Sequence, residues 1–164
     1  MTKAFYDRLA EPFEKNERKR RKLLKLNQVV TGLVYIVYPT LLIWLAAARD
    51  GKIVRVFFVP AASFVLVTIF RKIFNAKRPY EIWDALPLIP KDTRGNSFPS
   101  RHVFSIYIIA MAAGYVNPPL GIALGIAGVF LGAARVIARV HFVKDVLAGA
   151  AIAAALGWIG FYWI

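Results

Sequence analysis

The sequence predicts an all-α membrane protein, a polytopic bundle of about five transmembrane helices that follows an N-terminal amphipathic helix at the membrane surface. The chain of 164 residues is 59% hydrophobic, which is above the usual balance of a soluble domain. Its apolar residues also form segments close to the ~20 residues that a helix needs to cross a bilayer. There are five of these segments, over residues 26–48, 53–70, 99–116, 118–138 and 146–164.

The first 25 residues predict the surface helix. Phe5, Leu9 and Phe13 recur every four residues and are surrounded by charges, so a helix here would have one apolar face. The run over residues 15–25 is strongly basic and fits an anionic membrane surface. The alternative is a solvated, partly disordered tail. We therefore divide the chain into a basic interfacial helix, residues 1–25, and a membrane-embedded domain, residues 26–164.

The last two apolar segments are rich in small residues, which let membrane helices approach one another closely. In the fourth segment, four glycines fall at helical spacing on one face: Gly121, Gly125, Gly128 and Gly132. We expect this face to pack against a neighbouring helix.

The charge of the chain indicates its partners. There are 22 Lys and Arg residues against 9 Asp and Glu, a net charge of +13. These cations flank apolar runs, so we expect the bilayer and anionic lipid headgroups as partners rather than nucleic acid. The absence of cysteine excludes disulfides and thiolate metal sites. No short apolar stretch ends in a small-residue cleavage site near the N-terminus, so we expect no cleaved signal peptide.

The distribution of charge predicts the topology. If the five segments alternate in direction, one side receives the N-terminal tail, the long loop over residues 73–98 and the residues near 140. That side holds all but three of the 22 Lys and Arg residues. The positive-inside rule then places the N-terminus and the polar residues described next on the cytoplasmic face of a multi-pass protein in the cell membrane.

Three polar clusters lie at the ends of apolar segments, all on this side. The first contains Arg71, Lys72, Lys77, Arg78 and Pro79. An arginine grips phosphate oxygens in a fork with more geometric specificity than lysine. The alternative is that these cations only anchor the helix at the membrane surface.

The second cluster is Pro99, Ser100, Arg101 and His102, at the start of the third segment. Proline suits the first turn of a helix, where free backbone N–H groups bind anions. Ser100 adds a hydroxyl donor, and His102 could give a proton to a leaving oxygen. The alternative is an ordinary helix start with a serine cap.

The third cluster is Arg135, His141 and Asp145. His141 and Asp145 are four residues apart, so a helix would place them on one face, and the carboxylate could fix the tautomer of the imidazole. A histidine oriented in this way is a possible nucleophile for phosphorus. The alternative is a polar pair at the membrane edge with no chemical role.

The order and spacing of the clusters resemble the type 2 phosphatidic-acid phosphatase family, the lipid phosphate phosphatases, which are related to bacterial acid phosphatases and vanadium haloperoxidases. The family pattern is Lys, six residues, Arg-Pro; then Pro-Ser-Gly-His; then Ser-Arg, five residues, His, three residues, Asp. The resemblance covers residues 71–145. This chain departs from the pattern at three positions, with Arg71 for the lysine, Arg101 for the glycine and Ala134 for the serine.

The resemblance implies a mechanism. His141 would attack phosphorus and form a phosphohistidine, Asp145 would orient His141, and His102 would protonate the leaving oxygen and then activate water. The phosphoryl oxygens would be held by Arg71, Arg78, Ser100, Arg101 and Arg135. The implied reaction uses no metal and no other cofactor. Family members usually have six membrane helices and an outward-facing site, so five helices and a surface helix would turn this site to the cytoplasm.

The implied function is that of a membrane lipid phosphatase in phospholipid metabolism. The substrate would be a phosphomonoester or diphosphate on a lipid, such as phosphatidic acid, phosphatidylglycerol phosphate or polyprenyl diphosphate. Two alternatives remain open, a phosphotransferase with the same site and a non-catalytic membrane protein that binds anionic lipids. The sequence leaves the oligomeric state open.

Overall fold

The computed structural model of the chain describes residues 2–91 and 93–163, and all regular structure in these ranges is helical. Met1 and Ile164, the outer ends of the predicted surface helix and of the last apolar segment, lie outside the described residues. The helices are α1 (Lys3–Glu14), α2 (Glu17–Ala47), α3 (Lys52–Phe74), α4 (Pro79–Trp83), α5 (Arg101–Val116), α6 (Pro118–Ile137) and α7 (Val143–Trp158). Helix α7 continues into a short π-helix, Ile159–Trp163.

The predicted all-α polytopic bundle is confirmed. Four helical stretches are long and apolar enough to cross a membrane: α2, α3 with α4, α6, and α7 with its final turn. The fifth apolar helix, α5, has 16 residues and lies at the centre, where it contacts α2, α3, α6 and α7. Its side chains are the most buried of the bundle, because the other helices shield it from lipid. The chain is therefore a multi-pass membrane protein.

Local sequence signals set the helix boundaries. The Asn16 side chain caps α2 by accepting hydrogen bonds from the backbone N–H groups of Arg18 and Lys19. Asn117 caps α6 in the same way, and two prolines follow in the first turn. Asn75 directly follows α3 and adopts the left-handed conformation that is common after a helix, with φ of 40°. The long loop over residues 75–100 therefore begins at Asn75.

Helix α1 packs on the protein through the face of Tyr6 and Ala10, which adjoins the apolar face predicted for the membrane surface. Tyr6 and Ala10 are 1% and 0% exposed, whereas Phe5 remains exposed. The basic run does not continue α1 but forms the exposed first turns of α2. The division of the chain at residue 25 and the interfacial position of α1 stay predictions.

Glycines mark the closest helix contacts. A Cβ on Gly121 would lie 2.5 Å from the Cα of Gly114, so α5 and α6 nearly touch there, as the glycine spacing predicts. A Cβ on Gly149 would lie 2.8 Å from the Ser100 carbonyl oxygen, at the start of α5. Gly125, by contrast, has nothing within 4 Å of its Cβ position. Gly149 therefore sets the separation between α7 and the start of α5, where the polar clusters lie.

We expect Gly149→Ala to lower both the thermal stability and the activity of the protein. The added methyl meets backbone atoms, and overpacking of this kind costs about 1–3 kcal/mol. Gly125→Ala is the matched control, because its methyl meets open space. Thermal unfolding in detergent and turnover of a phosphorylated lipid would measure the two effects. Equal behaviour of the two variants would contradict this account of the α5–α7 contact.

Candidate active site

The structure brings the three polar clusters together at one end of the bundle. Backbone hydrogen bonds join the segments that carry them. Ser97 N–H donates to the Ala76 carbonyl at 2.8 Å, and Ser100 N–H donates to the Asp145 carbonyl at 2.8 Å. Leu88 N–H donates to the Ala138 carbonyl at 3.1 Å. The loop over residues 75–100 is therefore tied to the short loop over residues 138–142, which carries His141.

His141 lies at the centre of the site and is 2% exposed. Its Nε2 is 3.4 Å from Nη1 of Arg78. Its Nδ1 is 3.3 Å from the hydroxyl of Ser97 and 3.5 Å from Oδ2 of Asp145. A guanidinium only donates hydrogen bonds, so Nε2 accepts and the proton resides on Nδ1. The lone pair of Nε2 therefore points to the cationic side of the site.

Asp145 holds this arrangement from the first turn of α7. Its side chain is 1% exposed. Oδ2 accepts hydrogen bonds from the Ser97 hydroxyl at 2.5 Å and from the Phe142 N–H at 3.0 Å. Ser97 can then accept from Nδ1 of His141 while it donates to Asp145. The carboxylate thus orients the imidazole across a turn rather than along a helix face, because His141 lies in the loop before α7.

The surroundings of His141 favour its neutral form. Burial lowers the pKa of the imidazole to about 4, and the positive charges of Arg78 and Arg135 act in the same direction. Asp145 raises the pKa but does not overcome burial. At neutral pH the imidazole is therefore uncharged and its Nε2 lone pair is available.

Arg71 and Arg78 are both buried and brace the loop beside the histidine. Arg71 donates to the carbonyl oxygens of Asn96, Ser97 and Pro99. Arg78 donates through Nε to the Gly95 carbonyl at 3.0 Å and through Nη1 to the Val140 carbonyl at 3.2 Å. These bonds fix the two guanidinium groups before any substrate binds, which is how preorganised electrostatic sites are built. Arg71 contacts three backbone oxygens in the structure, and its predicted contact with phosphate stays a prediction.

Arg135 and Ser100 each bury a polar atom that has no hydrogen-bond partner within the described residues. These atoms are Nε of Arg135 and the hydroxyl of Ser100, and the side chains are 3% and 0% exposed. An unsatisfied buried donor costs about 1–3 kcal/mol, so such atoms commonly mark the place of a ligand. The Arg135 carbonyl also accepts from the N–H groups of Val140 and His141, which fixes the backbone of the nucleophile candidate.

His102 and Arg101 lie on the membrane side of the site. Both line a cavity of about 560 Å³ between α2, α3 and α5. Its wall is largely apolar and includes Tyr38, Phe57, Pro60, Ala61, Ile108 and Leu131. The Arg101 side chain is exposed, and its guanidinium carbon is 5.9 Å from the centre of the Phe64 ring. The residue that replaces the family glycine thus lies where the cavity meets the polar site.

Sequence reasoning missed two residues of the site, Ser97 and Lys91. Ser97 belongs to the long loop and has no motif of its own, so only the fold reveals its contact with Asp145. Lys91 is half-buried, and burial together with the charges of Arg78 and Arg135 lowers its pKa. Its place in the polar loop gives no sequence signal beyond its charge. Lys91 adds a further cation to the site.

A neutral, oriented histidine that faces buried arginines at the end of a membrane helix bundle defines a class of protein that binds phosphate groups at a membrane surface. The chain belongs to the PAP2 superfamily, which residues 52–164 match. This confirms the resemblance found in the sequence.

Two solved structures share the fold. Aquifex aeolicus LpxE has a TM-score of 0.74 and 24% sequence identity, covering 96% of this chain and 92% of that chain. A transmembrane PAP2 type phosphatidylglycerolphosphate phosphatase from Bacillus subtilis has a TM-score of 0.62 and 22% identity, covering 96% of this chain and 90% of that chain. At these identities the likeness is one of fold. No curated protein matches the chain in sequence.

We expect Ser97→Ala to lower turnover by about tenfold to 100-fold, because hydrogen bonds to charged groups contribute about 1.5–3 kcal/mol. The variant removes the 2.5 Å hydrogen bond that holds Asp145 and leaves His141 with one partner fewer on its Nδ1 side. Ser63→Ala is the control, because Ser63 is also buried but lies in the middle of α3. The comparison is of kcat on one lipid phosphate. A Ser97→Ala protein as active as the control would show that the hydroxyl does not support the site.

Proposed function

We propose that this protein is a lipid phosphatase that removes a phosphoryl group from a membrane lipid through a phosphohistidine on His141. The observation that supports it best is the pair of contacts on the imidazole. Ser97 and Asp145 hold the Nδ1 edge, while Nε2 points to Arg78 at 3.4 Å. This is the arrangement that a nucleophile for a negatively charged phosphorus centre requires, with its lone pair directed to the cations that would hold the phosphate.

The proposed reaction has two displacements. In the first, the Nε2 lone pair of His141 forms a bond to phosphorus while the bond to the lipid oxygen breaks, and His102, which enters this step protonated, gives that oxygen its proton and becomes neutral. In the second, neutral His102 takes a proton from water, the water oxygen bonds to phosphorus, and the N–P bond breaks to release inorganic phosphate. Asp145 stabilises the positive imidazole ring during the first step. Both histidines return to their initial state.

Electrostatic stabilisation would come from the cationic side chains around the histidine. Charge spreads over the three non-bridging oxygens in the transition state of phosphoryl transfer. Arg78 and Arg135 are buried beside His141, and Ser100 supplies a hydroxyl without another partner. Because nucleophile, acid and positive charge are all protein groups, we propose that the reaction is independent of metal ions.

The substrate would be a lipid that lies in the cavity between α2, α3 and α5. An apolar chain would contact Phe57, Pro60 and Ile108, while the headgroup would meet Arg101 and His102 at the polar end. Phosphatidic acid, phosphatidylglycerol phosphate and polyprenyl diphosphate all have this division between apolar tail and phosphate. The Bacillus subtilis structure of the same fold is of a phosphatidylglycerolphosphate phosphatase, which supports including that lipid.

We also propose that the site faces the cytoplasm. The site end carries α1, the exposed basic turns of α2 and the buried arginines, whereas only Arg49, Lys52 and Arg55 lie near the other end. Lys52 lies over the Tyr115 ring at 5.7 Å and Arg55 donates to the Phe161 carbonyl at 3.1 Å, so the second group occupies the opposite end of the bundle. The excess of cations at the site end supports a cytoplasmic orientation.

The first experiment measures phosphate release by the detergent-solubilised protein in excess EDTA. The substrates offered are phosphatidic acid, phosphatidylglycerol phosphate, and the mono- and diphosphates of farnesol and undecaprenol. We expect release that resists EDTA and falls by at least about 1,000-fold in His141→Ala, because a covalent nucleophile cannot be replaced by the remaining groups. Protein quenched in alkaline denaturant should carry phosphate on His141, because the N–P bond of a phosphohistidine is stable to base and hydrolyses in acid.

The outcomes separate the alternatives. Loss of activity in EDTA would contradict the metal-independent mechanism. Transfer of phosphate to an added alcohol in preference to water would favour a phosphotransferase. Lipid binding without phosphate release, in a protein shown to be folded, would favour the non-catalytic lipid-binding protein.

A second test concerns the cavity. Ala61 lines it, so Ala61→Leu should fill part of the space that a lipid chain would occupy. We expect KM to rise by about tenfold for a long-chain substrate, since the bulk of several methylenes is displaced at about 0.8 kcal/mol each, and to change little for a short-chain one. Ala123→Leu on the exposed face of α6 is the control. Equal effects on both chain lengths would place the lipid elsewhere.

A further inference from the structure

Helix α1 is attached to the loop of His141 on both sides of that residue. Before it, the buried guanidinium of Arg139 pairs with Asp7 of α1 through Nη2 at 2.9 Å and with the Glu14 carboxylate through Nη1. After it, the Tyr6 hydroxyl accepts a hydrogen bond from the Val143 N–H at 3.0 Å. Asp7 and Glu14 lie on one face of α1, two turns apart. The helix therefore lies across the loop that carries His141.

An aromatic cluster reinforces the attachment. The Tyr6 ring centre lies 5.1 Å from that of Trp83 and 5.8 Å from that of Phe142, and the Trp83 and Phe142 centres are 5.4 Å apart. Phe142 follows His141 directly and its N–H donates to Asp145. The ring of Tyr6 therefore contacts the residue that links the imidazole to its carboxylate.

The loop needs such support because its backbone is strained. Arg139 has φ of 58°, in the left-handed region that a residue with a side chain seldom occupies. Such a conformation costs free energy and persists only where the surrounding structure fixes it. The two carboxylates of α1 fix the Arg139 side chain from outside the loop.

We propose that α1 is a positioning element of the active site. Through Tyr6, Asp7 and Glu14 it holds residues 138–143 so that Nε2 of His141 stays beside Arg78. The described contacts of these α1 residues with the loop are to Arg139, Phe142 and Val143, and α1 acts through them. The inference rests on the proposed function. It gives α1 a catalytic consequence beyond attachment to the membrane surface.

The test compares variants that remove the contacts without adding bulk. Asp7→Asn combined with Glu14→Gln removes both charges, and Tyr6→Phe removes the hydroxyl that accepts from Val143. We expect kcat to fall by about tenfold to 100-fold, since displacement of a reacting group by about 1 Å has effects of this size, with KM nearly unchanged. Asp7→Glu, which keeps the charge, should retain most of the turnover.

Two controls lie on the same helix. Glu11→Gln removes an exposed carboxylate that pairs only with Lys15 in the described contacts, and Lys3→Gln removes the other partner of Asp7. Both should keep the parental kcat. Hydrogen exchange gives a readout that does not depend on activity, and we expect faster exchange over residues 138–146 in the double variant than in either control.

The outcomes are distinct. If the parental protein releases no phosphate from any lipid, the proposed function fails, while faster exchange in the double variant would still show that α1 holds the loop. If the parental protein is active and the double variant keeps its kcat and its exchange rates, the positioning role is overturned. A variant that raises only KM would also overturn it.

Discussion

The site depends on one buried carboxylate. Asp145 is nearly inaccessible, yet its Oδ2 accepts hydrogen bonds from Ser97 and Phe142, and its backbone carbonyl accepts from Ser100. A buried charge is stable only where donors surround it, so the loop before α5 and the start of α7 must stay together. The same donors fix the imidazole of His141. Folding of this end of the bundle and orientation of the reactive group are therefore one requirement.

The position of the arginines follows from a similar requirement. Each buried guanidinium needs acceptors, and Arg71 and Arg78 find them in the carbonyl oxygens of residues 95–99 and 140. These oxygens carry no net charge, so the positive charge of the groups remains available to an anion. A carboxylate partner would have neutralised it. The loop thus orients the cations without reducing the field that they direct at Nε2 of His141.

Much of this arrangement could be predicted from the sequence. The apolar segments predicted the helices. The residues predicted for the site lie together in the structure because each lies at or beside a helix end on the same side of the bundle: Arg78, Ser100, Arg135, His141 and Asp145. Other contacts could not be predicted. Tyr6 and Val143 are 137 residues apart, and Ser97 lies in a loop without periodicity, so their partners are known only when the chain is folded. In α1, Tyr6 is buried against Trp83 and Phe142, a contact that the helical spacing of the other aromatic residues does not reveal.

Gly149 has a consequence for how such a protein can diversify. With no side chain between them, α7 and the first turn of α5 lie in close backbone contact, so the helix that carries Asp145 and the helix that carries His102 are held at a fixed separation. The cavity wall on α2 and α3 is made of separate apolar side chains, several of them exposed. Substitutions in that wall can reshape the cavity without changing the distance between α5 and α7. The chain therefore separates the helix contact that must stay constant from the cavity wall that is free to vary.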